Sequence, residues 1–402
     1  MTKIKEIRII RTRRDTSWSI VKVITDQPGL YGIGSANDYF NPKAVIAVIE
    51  ELLAPRLIGR DAGNIEDIWQ SMYQSGYWRN GSHLSTAMGA IDMALWDIKG
   101  KEAGMPVYKL LGGACRTAVP CYGHAGGNSI EELIEDVQHY YELGYSVIRC
   151  QLGAYGGGGF IPSEQARRPV NAWPEKQVFD EESYLEAIPD MFEKLRDKFG
   201  FGIKFTHDVH EHLSPRNAVA LAKRLEPYRL FFLEDPLAPE HLEWFRMIRQ
   251  QCSTPIAMGE LFVHPAEWKP LIANQLIDFI RFHVSAVGGI TPARKVAALC
   301  ETFGVRTAWH GPGDVSPVGH AANVHLGVST PNFGIQEWYG FSDTIREVFP
   351  GAPTLKIGYA YVSGKPGLGV DIDEKLAEKF PCVNKLPEWT LSRLVDGTSA
   401  RP

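Results

Sequence analysis

From residue 118 onward, eight short runs rich in β-branched and aromatic residues alternate with helical stretches: AVPCYG, SVIRCQ, GIKFTHDV, RLFFLEDP, PIAMGE, DFIRFHV, VRTAWHG and FGIQEW. Strands separated by helices run parallel, because a parallel neighbour needs a long crossover that a helix fills. Eight such strands close a sheet on itself, so the expected fold class is α/β with a TIM-like barrel of the (β/α)8 kind or a close variant. The intervening stretches DEESYLEAIPDMFEKLRDKFG, SPRNAVALAKRLEPY and TPARKVAALCETFG place apolar residues at helical spacing and end near Gly or Pro.

A barrel of about 250 residues leaves part of a 402-residue chain to be explained. Residues 3–13 and 18–25 are rich in Ile and Val, and Pro28-Gly29 suits a tight turn between antiparallel strands. Two helical patterns follow, NPKAVIAVIEELLAPRLIG and HLSTAMGAIDMALWDIKGKEAGMPVYKLLGG. The reading is an α+β first domain over 1–113, a barrel over 114–351, and a segment over 352–402 that returns to cover the first domain.

Composition narrows the partners. A net charge of -5 with 22% charged and 44% hydrophobic residues describes an ordinary globular protein with no basic excess to hold a phosphate backbone, so no nucleic acid is expected. The opening MTKIKEIRIIRTRRDTSW scatters charges through its apolar positions and reads as neither signal peptide nor membrane span. A cytoplasmic protein without a membrane partner is the expectation. Six cysteines without a C-x-x-C pair fit reduced thiols.

The chemistry gathers at strand ends. Asp208, Glu234 and Glu260 close three successive strands, each 26 residues from the next. Carboxylates at the C-terminal ends of neighbouring barrel strands repel one another without a cation, and an oxygen-only set favours a hard ion such as Mg2+. Helix capping or solvated loop charge is the bland reading for each alone, and register across three strands argues against it. Asp235 is the weaker choice, since adjacent strand residues point to opposite sides. In FTHDVHEHL the same alternation puts His210 on the face of Asp208 and turns His207 away, which makes His210 the proton-transfer candidate and leaves His207 and His212 to packing or loop contacts. Zinc held by His207, His210 and Glu211 is the rival, although no H-E-x-x-H helix is present.

Further strand ends carry His124, Arg149 with Gln151, Arg281 with His283, His310, and Glu337 with Trp338. Asp314 follows in HGPGD. The loop LGAYGGGGFIP places Tyr155 beside four glycines, a segment able to move as a lid; phosphate cradling is the alternative, though no G-K-[ST] follows.

With these residues in view the chain resembles the enolase superfamily, of the mandelate racemase/muconate lactonizing enzyme-like kind, through the acidic trio, ALWDIKGKEAGMPVYKLLGG, VGGITPARKVAALCETFGV and GLGVDID. Within it, GSANDYF, CYGHAGG, VIRCQLGAYG, FTHDVHEHL, WHGPGDVSPVGHAANVHL and IQEW are similar to the D-mannonate dehydratase subgroup, which includes starvation-sensing-protein-like members. The resemblance implies a (β/α)7β barrel with an N-terminal α+β capping domain, Mg2+ on Asp208, Glu234 and Glu260, and a homo-oligomer. It implies Tyr155 as the base, its pKa lowered by Arg149, and His210 as the acid. Asn37, His124, Glu260, Arg281, His310, Asp314 and Glu337 are the implied substrate contacts. The implied reaction dehydrates D-mannonate or D-gluconate to 2-keto-3-deoxy-D-gluconate.

This chain departs from the superfamily at two places: RCQ replaces the lysine pair of the second strand, and His283 stands where many members set an Asp. Pro312 fixes φ two residues after His310, which suggests a slow or altered enzyme. Two other classes remain open: a weak or inactive member that senses sugar acids, and a zinc hydrolase built on the histidine cluster.

Overall fold

The first strands, β1 (Ile4–Thr12), β2 (Trp18–Thr25) and β3 (Tyr31–Ser35), form an antiparallel sheet in that order. Gly29 takes a φ of 78° in the turn before β3, as the Pro-Gly pair predicts. The strand YGIGS places Gly32 and Gly34 on one face, against the buried helix Ser82–Glu102. A Cβ at Gly34 would stand 1.8 Å from the Ala90 carbonyl oxygen, and one at Gly32 2.0 Å from that of Ala94. Only glycine permits this approach of strand to helix. Asp97 on the same helix accepts from the backbone N–H groups of Ile33 and Leu368 and from Lys101, joining sheet, helix and a later part of the chain. A computed structural model of the chain describes residues 1–13, 18–36, 40–161, 177–382 and 388–402.

All eight expected barrel strands form. They are β4 (Val119–Gly127), β5 (Val147–Leu152), then, after the short β6 (Phe160–Ile161) and β7 (Val178–Phe179), β8 (Lys204–Asp208), β9 (Phe232–Glu234), β10 (Ile256–Met258), β11 (Phe279–Ile280), β12 (Arg306–Trp309) and β13 (Phe333–Glu337). Each is hydrogen-bonded to the next in the order β4-β5-β8-β9-β10-β11-β12-β13, and β13 pairs with β4, which closes a TIM-like barrel. Helices such as Ile130–Glu142, Pro215–Arg224 and Ile290–Thr302 fill the crossovers. The hairpin of β14 (Thr354–Lys356) and β15 (Tyr359–Tyr361) adds antiparallel to β4 through Ala360↔Val119. Strands buried on both sides explain their near-continuous apolar runs.

By internal contacts the chain divides into two units: Met1–Cys121, Glu260–Lys269 and Ile280–Lys385 in the first, and Tyr122–Gly259, Pro270–Phe279 and Leu386–Pro402 in the second. In the first, the later chain meets the N-terminal sheet: the Thr12 hydroxyl donates to Ala377 and Phe380 carbonyls, and Lys22 pairs with Glu374 at 2.6 Å. From Leu386 on, the chain belongs to the second unit, where β16 (Arg393–Leu394) runs parallel beside β7. All six cysteines are free thiols. Among the described residues no helix is long and apolar enough to cross a membrane.

Candidate active site

Register on four strands builds the first cluster, within the second unit. Asp208 and Glu234 are direct partners across β8 and β9, and His124 faces Arg149 across β4 and β5. Arg149, buried at 4% exposure, uses Nη1 to reach Asp208 Oδ2 at 3.1 Å and Glu234 Oε1 at 3.4 Å. Its Nη2 lies 3.1 Å from His124 Nδ1 and donates to the Tyr155 hydroxyl at 3.3 Å. One guanidinium therefore touches two carboxylates and a phenol at once. Tyr122, two residues before His124 on the same strand face, donates to Glu234 Oε2 at 3.1 Å.

The chain turns sharply after each acidic strand end. β8 stops at Asp208, and His210 and Glu211 take φ values of 51° and 53°. The alternation argument for His210 thus has no strand to act on, yet the turn delivers the ring: it stacks on Tyr155 with centroids 4.2 Å apart, and its backbone N–H donates to Asp208 Oδ1 at 2.8 Å. Asp235, at φ 38°, also leaves its strand and brings a carboxylate oxygen beside those of Asp208 and Glu234, the three within 4.8 Å of one another. Three buried carboxylates outnumber the single guanidinium, and a hard divalent cation offsets that excess. This donor set fits one. His207 is engaged at both ring nitrogens, with Tyr184 Oη at 2.7 Å and the Cys150 carbonyl at 2.8 Å, and burial pushes its pKa down to about 4. His212, also pushed down to about 4 by burial, packs 4.9 Å from the Phe179 ring. The two are packing residues, and they do not join His210 in a zinc group among the described residues.

The second cluster lies within the first unit and is built on β11, β12 and β13. Arg281, 1% exposed, divides its two terminal nitrogens: Nη1 donates to Glu260 Oε2 at 2.6 Å and Nη2 to Glu337 Oε2, which also accepts from the Gly311 N–H at 2.9 Å. His310 Nε2 is 3.5 Å from Glu260 Oε2, and burial pushes that imidazole down to about 4, so it is neutral at pH 7. The His283 ring lies 4.9 Å from that of His310. The Ala286 N–H donates to His283 Nδ1 at 3.4 Å, and Nε2 of that ring lies 3.7 Å from Asp314 Oδ2. Burial works to raise the Asp314 pKa, but the His283 and His310 side chains together outweigh it and hold the carboxyl below its ordinary value. His283, His310 and Asp314 also place possible ligand atoms within 4.8 Å of one another. Asp208, Glu234 and Asp235 offer only oxygen ligands, which suit a hard divalent cation, so the carboxylate group is the better site for Mg2+.

Arg149, Tyr155, Asp208, His210, Glu234 and His124 thus stand in one cluster, and Glu260, Arg281, His310, Asp314 and Glu337 in the other. Asn37 lies outside the described residues. Sequence reasoning passed over Tyr122, which strand alternation from His124 could have found, and discounted Asp235, whose turn carries no local sequence signal.

Two family models match the chain: the mandelate racemase / muconate lactonizing enzyme N-terminal domain over residues 5–112, and the enolase C-terminal domain-like model over residues 133–376. The chain belongs to the enolase superfamily. It is 60% identical to a D-galactonate dehydratase family member of Paenibacillus sp. (strain JDR-2), with 100% of each chain covered. It is 44% identical to a D-mannonate dehydratase of Caulobacter vibrioides, covering 99% of each. Among superfamily structures it is similar to an enolase from Pantoea ananatis with bound D-gluconate and Mg, at 52% identity, a TM-score of 0.96 and 100% of both chains.

Proposed function

We propose that the chain is a Mg2+-dependent sugar-acid dehydratase, a hydro-lyase that converts D-mannonate or D-gluconate to 2-keto-3-deoxy-D-gluconate and water. The observation that carries this reading is the Arg149 guanidinium, which contacts Asp208, Glu234 and the Tyr155 hydroxyl together while the His210 ring stacks on that tyrosine. A relative named as a D-galactonate dehydratase family member, another named as a D-mannonate dehydratase, and one structure with D-gluconate and Mg support the substrate class.

Asp208, Glu234 and Glu260 are the proposed metal ligands, with Asp235 in the same acidic group as the first two. Bound Mg2+ would supply positive charge to the substrate carboxylate, offsetting the second charge that builds there when the C2 proton leaves. The phenol of Tyr155 ordinarily holds its proton to a pKa of about 10, and the guanidinium of Arg149 beside it favours the phenolate that a base requires. Tyr155 then takes the C2 proton, and His210 gives a proton to the departing C3 hydroxyl, which leaves as water. The enol that remains tautomerises to the 2-keto-3-deoxy acid. Asn37, His124, Glu260, Arg281, His310, Asp314 and Glu337 are the proposed substrate contacts. A capping domain over 1–113, a barrel over 114–351, cytoplasmic location and a homo-oligomeric assembly belong to the same proposal.

The test is a screen of the purified protein with Mg2+ against aldonic and aldaric acids, D-galactonate included, with semicarbazide detecting 2-keto-3-deoxy products. Product from D-mannonate or D-gluconate is expected. Silence across the library from protein that still binds Mg2+ would overturn the reading and favour a sensing role.

A further inference from the structure

The superfamily match ends at residue 376, yet the last described segment, 388–402, reaches the proton-transfer group. β16 pairs with β7, and β7 pairs with β6, which directly follows the glycine loop that carries Tyr155. Beyond β16 the chain folds back on itself: the Leu394 N–H donates to the Thr398 carbonyl at 2.8 Å and the Ala400 N–H to the Ser392 carbonyl at 3.0 Å. Arg401 Nη2 then donates to His241 Nε2 at 2.9 Å. One residue later, the backbone oxygen of Pro402 stands 2.9 Å from His210 Nδ1.

We propose that this segment is part of the acid's machinery, with Pro402 a positioning residue that acts through its main-chain oxygen; the proposal rests on the reading of His210 as the acid. A backbone oxygen can only accept, so a hydrogen bond at 2.9 Å requires the proton on Nδ1. That assigns Nε2 as the nitrogen through which His210 passes a proton to the leaving hydroxyl. The ring is held by the Pro402 oxygen at Nδ1 and the Tyr155 ring at its face, and Asp208 holds the backbone N–H of the same residue. An outer partner that sets the orientation and tautomer of a working histidine is worth about 10- to 100-fold in activity. The small sheet β6-β7-β16 anchors that partner and also borders the loop of the base, so one local unit positions both proton-transfer groups.

The experiment compares the full chain with a chain ended at Ala400, with Arg401→Ala, and with His210→Asn. It measures kcat and KM for dehydration, exchange of the substrate C2 proton with solvent deuterium, and nitrogen NMR of histidine-labelled protein. Ending at Ala400 should lower kcat for dehydration by about 10- to 100-fold with KM little changed. C2 exchange should continue, as in His210→Asn, and the Nδ1–H signature of His210 should be lost. Arg401→Ala, which loosens the anchor and keeps Pro402, should show the same split to a smaller extent. Unchanged kcat and an unchanged His210 signature in the shortened chain would overturn the proposal. So would an equal loss of exchange and dehydration, which marks a general loss of structure. Full dehydration by His210→Asn would instead remove His210 as the acid, and the NMR signature would still report whether the tail sets its tautomer.

Discussion

Two buried arginines each bridge two carboxylates, and they spend their donors differently. Arg281 commits one terminal nitrogen to Glu260 and the other to Glu337, and the Gly311 N–H reinforces the second contact. Arg149 uses Nη1 for Asp208 and Glu234 at 3.1 and 3.4 Å, and its Nη2 meets His124 Nδ1 and the Tyr155 oxygen. Charge-assisted hydrogen bonds strengthen as they shorten, so the Arg281 pairs are the tighter clamp. The longer contacts at Arg149 tie two carboxylates to a phenol through one guanidinium. On the roles proposed above, one arginine suits holding a ligand and the other linking the metal ligands to the base.

The largest expected effect breaks the Arg149 side. Asp208→Asn removes one carboxylate of the acidic group and should reduce turnover on the order of 1000-fold or more while weakening Mg2+ binding in calorimetry. Turnover and metal affinity equal to the parent would remove Asp208 from the metal site. Next, the two arginines can be set against each other as Arg149→Lys and Arg281→Lys. Lysine keeps the charge and loses the planar fork. Arg149→Lys should depress C2 proton exchange by about 100-fold with substrate still bound, whereas Arg281→Lys should raise KM about tenfold and leave exchange in the saturated enzyme nearly intact. Identical profiles for the two variants would show that the two arginines do the same work.

A smaller effect is expected at His325. Its Nδ1 accepts from the Tyr108 N–H, its Nε2 faces the Leu368 carbonyl at 3.1 Å, and burial pushes its pKa down to about 4. A folded-state pKa below the unfolded value of about 6.5 means that the unfolded chain binds a proton the native state refuses. Stability is therefore full above pH 6.5 and falls as the pH drops toward 4, by about 3 kcal/mol from this one group. Melting temperatures followed from pH 7 to 4.5 should decline less steeply in His325→Gln than in the parent, and parallel curves would show that His325 is not buried neutral. Pro312→Ala should have the smallest effect, a change in turnover of roughly threefold or less. The His310 backbone is already held by the Phe282 carbonyl at its N–H and by Asn323 at its carbonyl. A tenfold change would make Pro312 the element that sets His310 after all.

Much of this was legible along the chain, for a physical reason. A barrel strand is buried on both faces, so β8 and β9 appear as apolar runs whose polar ends stand out. Spacing by one βα unit put Asp208 and Glu234 on neighbouring strands, and their direct pairing follows from parallel register. Strand alternation likewise placed Arg149 apart from Cys150. The reading failed where the backbone left the strand. His210 and Asp235 owe their places to left-handed turns, and alternation says nothing about a residue with a φ of 51° or 38°. It also failed at the tail, since the segment after Leu386 carries no periodic pattern that names its neighbour.

The sequence by itself determined the fold class, the acidic strand ends and the family, because burial period and residue chemistry are local properties that survive without coordinates. Only the tertiary structure decided that Arg149 is shared between two carboxylates and a phenol, that Asp235 stands with Asp208 and Glu234, and that the backbone oxygen of Pro402 meets His210 across 192 residues of chain. Those are distances between groups remote in sequence, fixed by packing and main-chain geometry that no single residue type encodes.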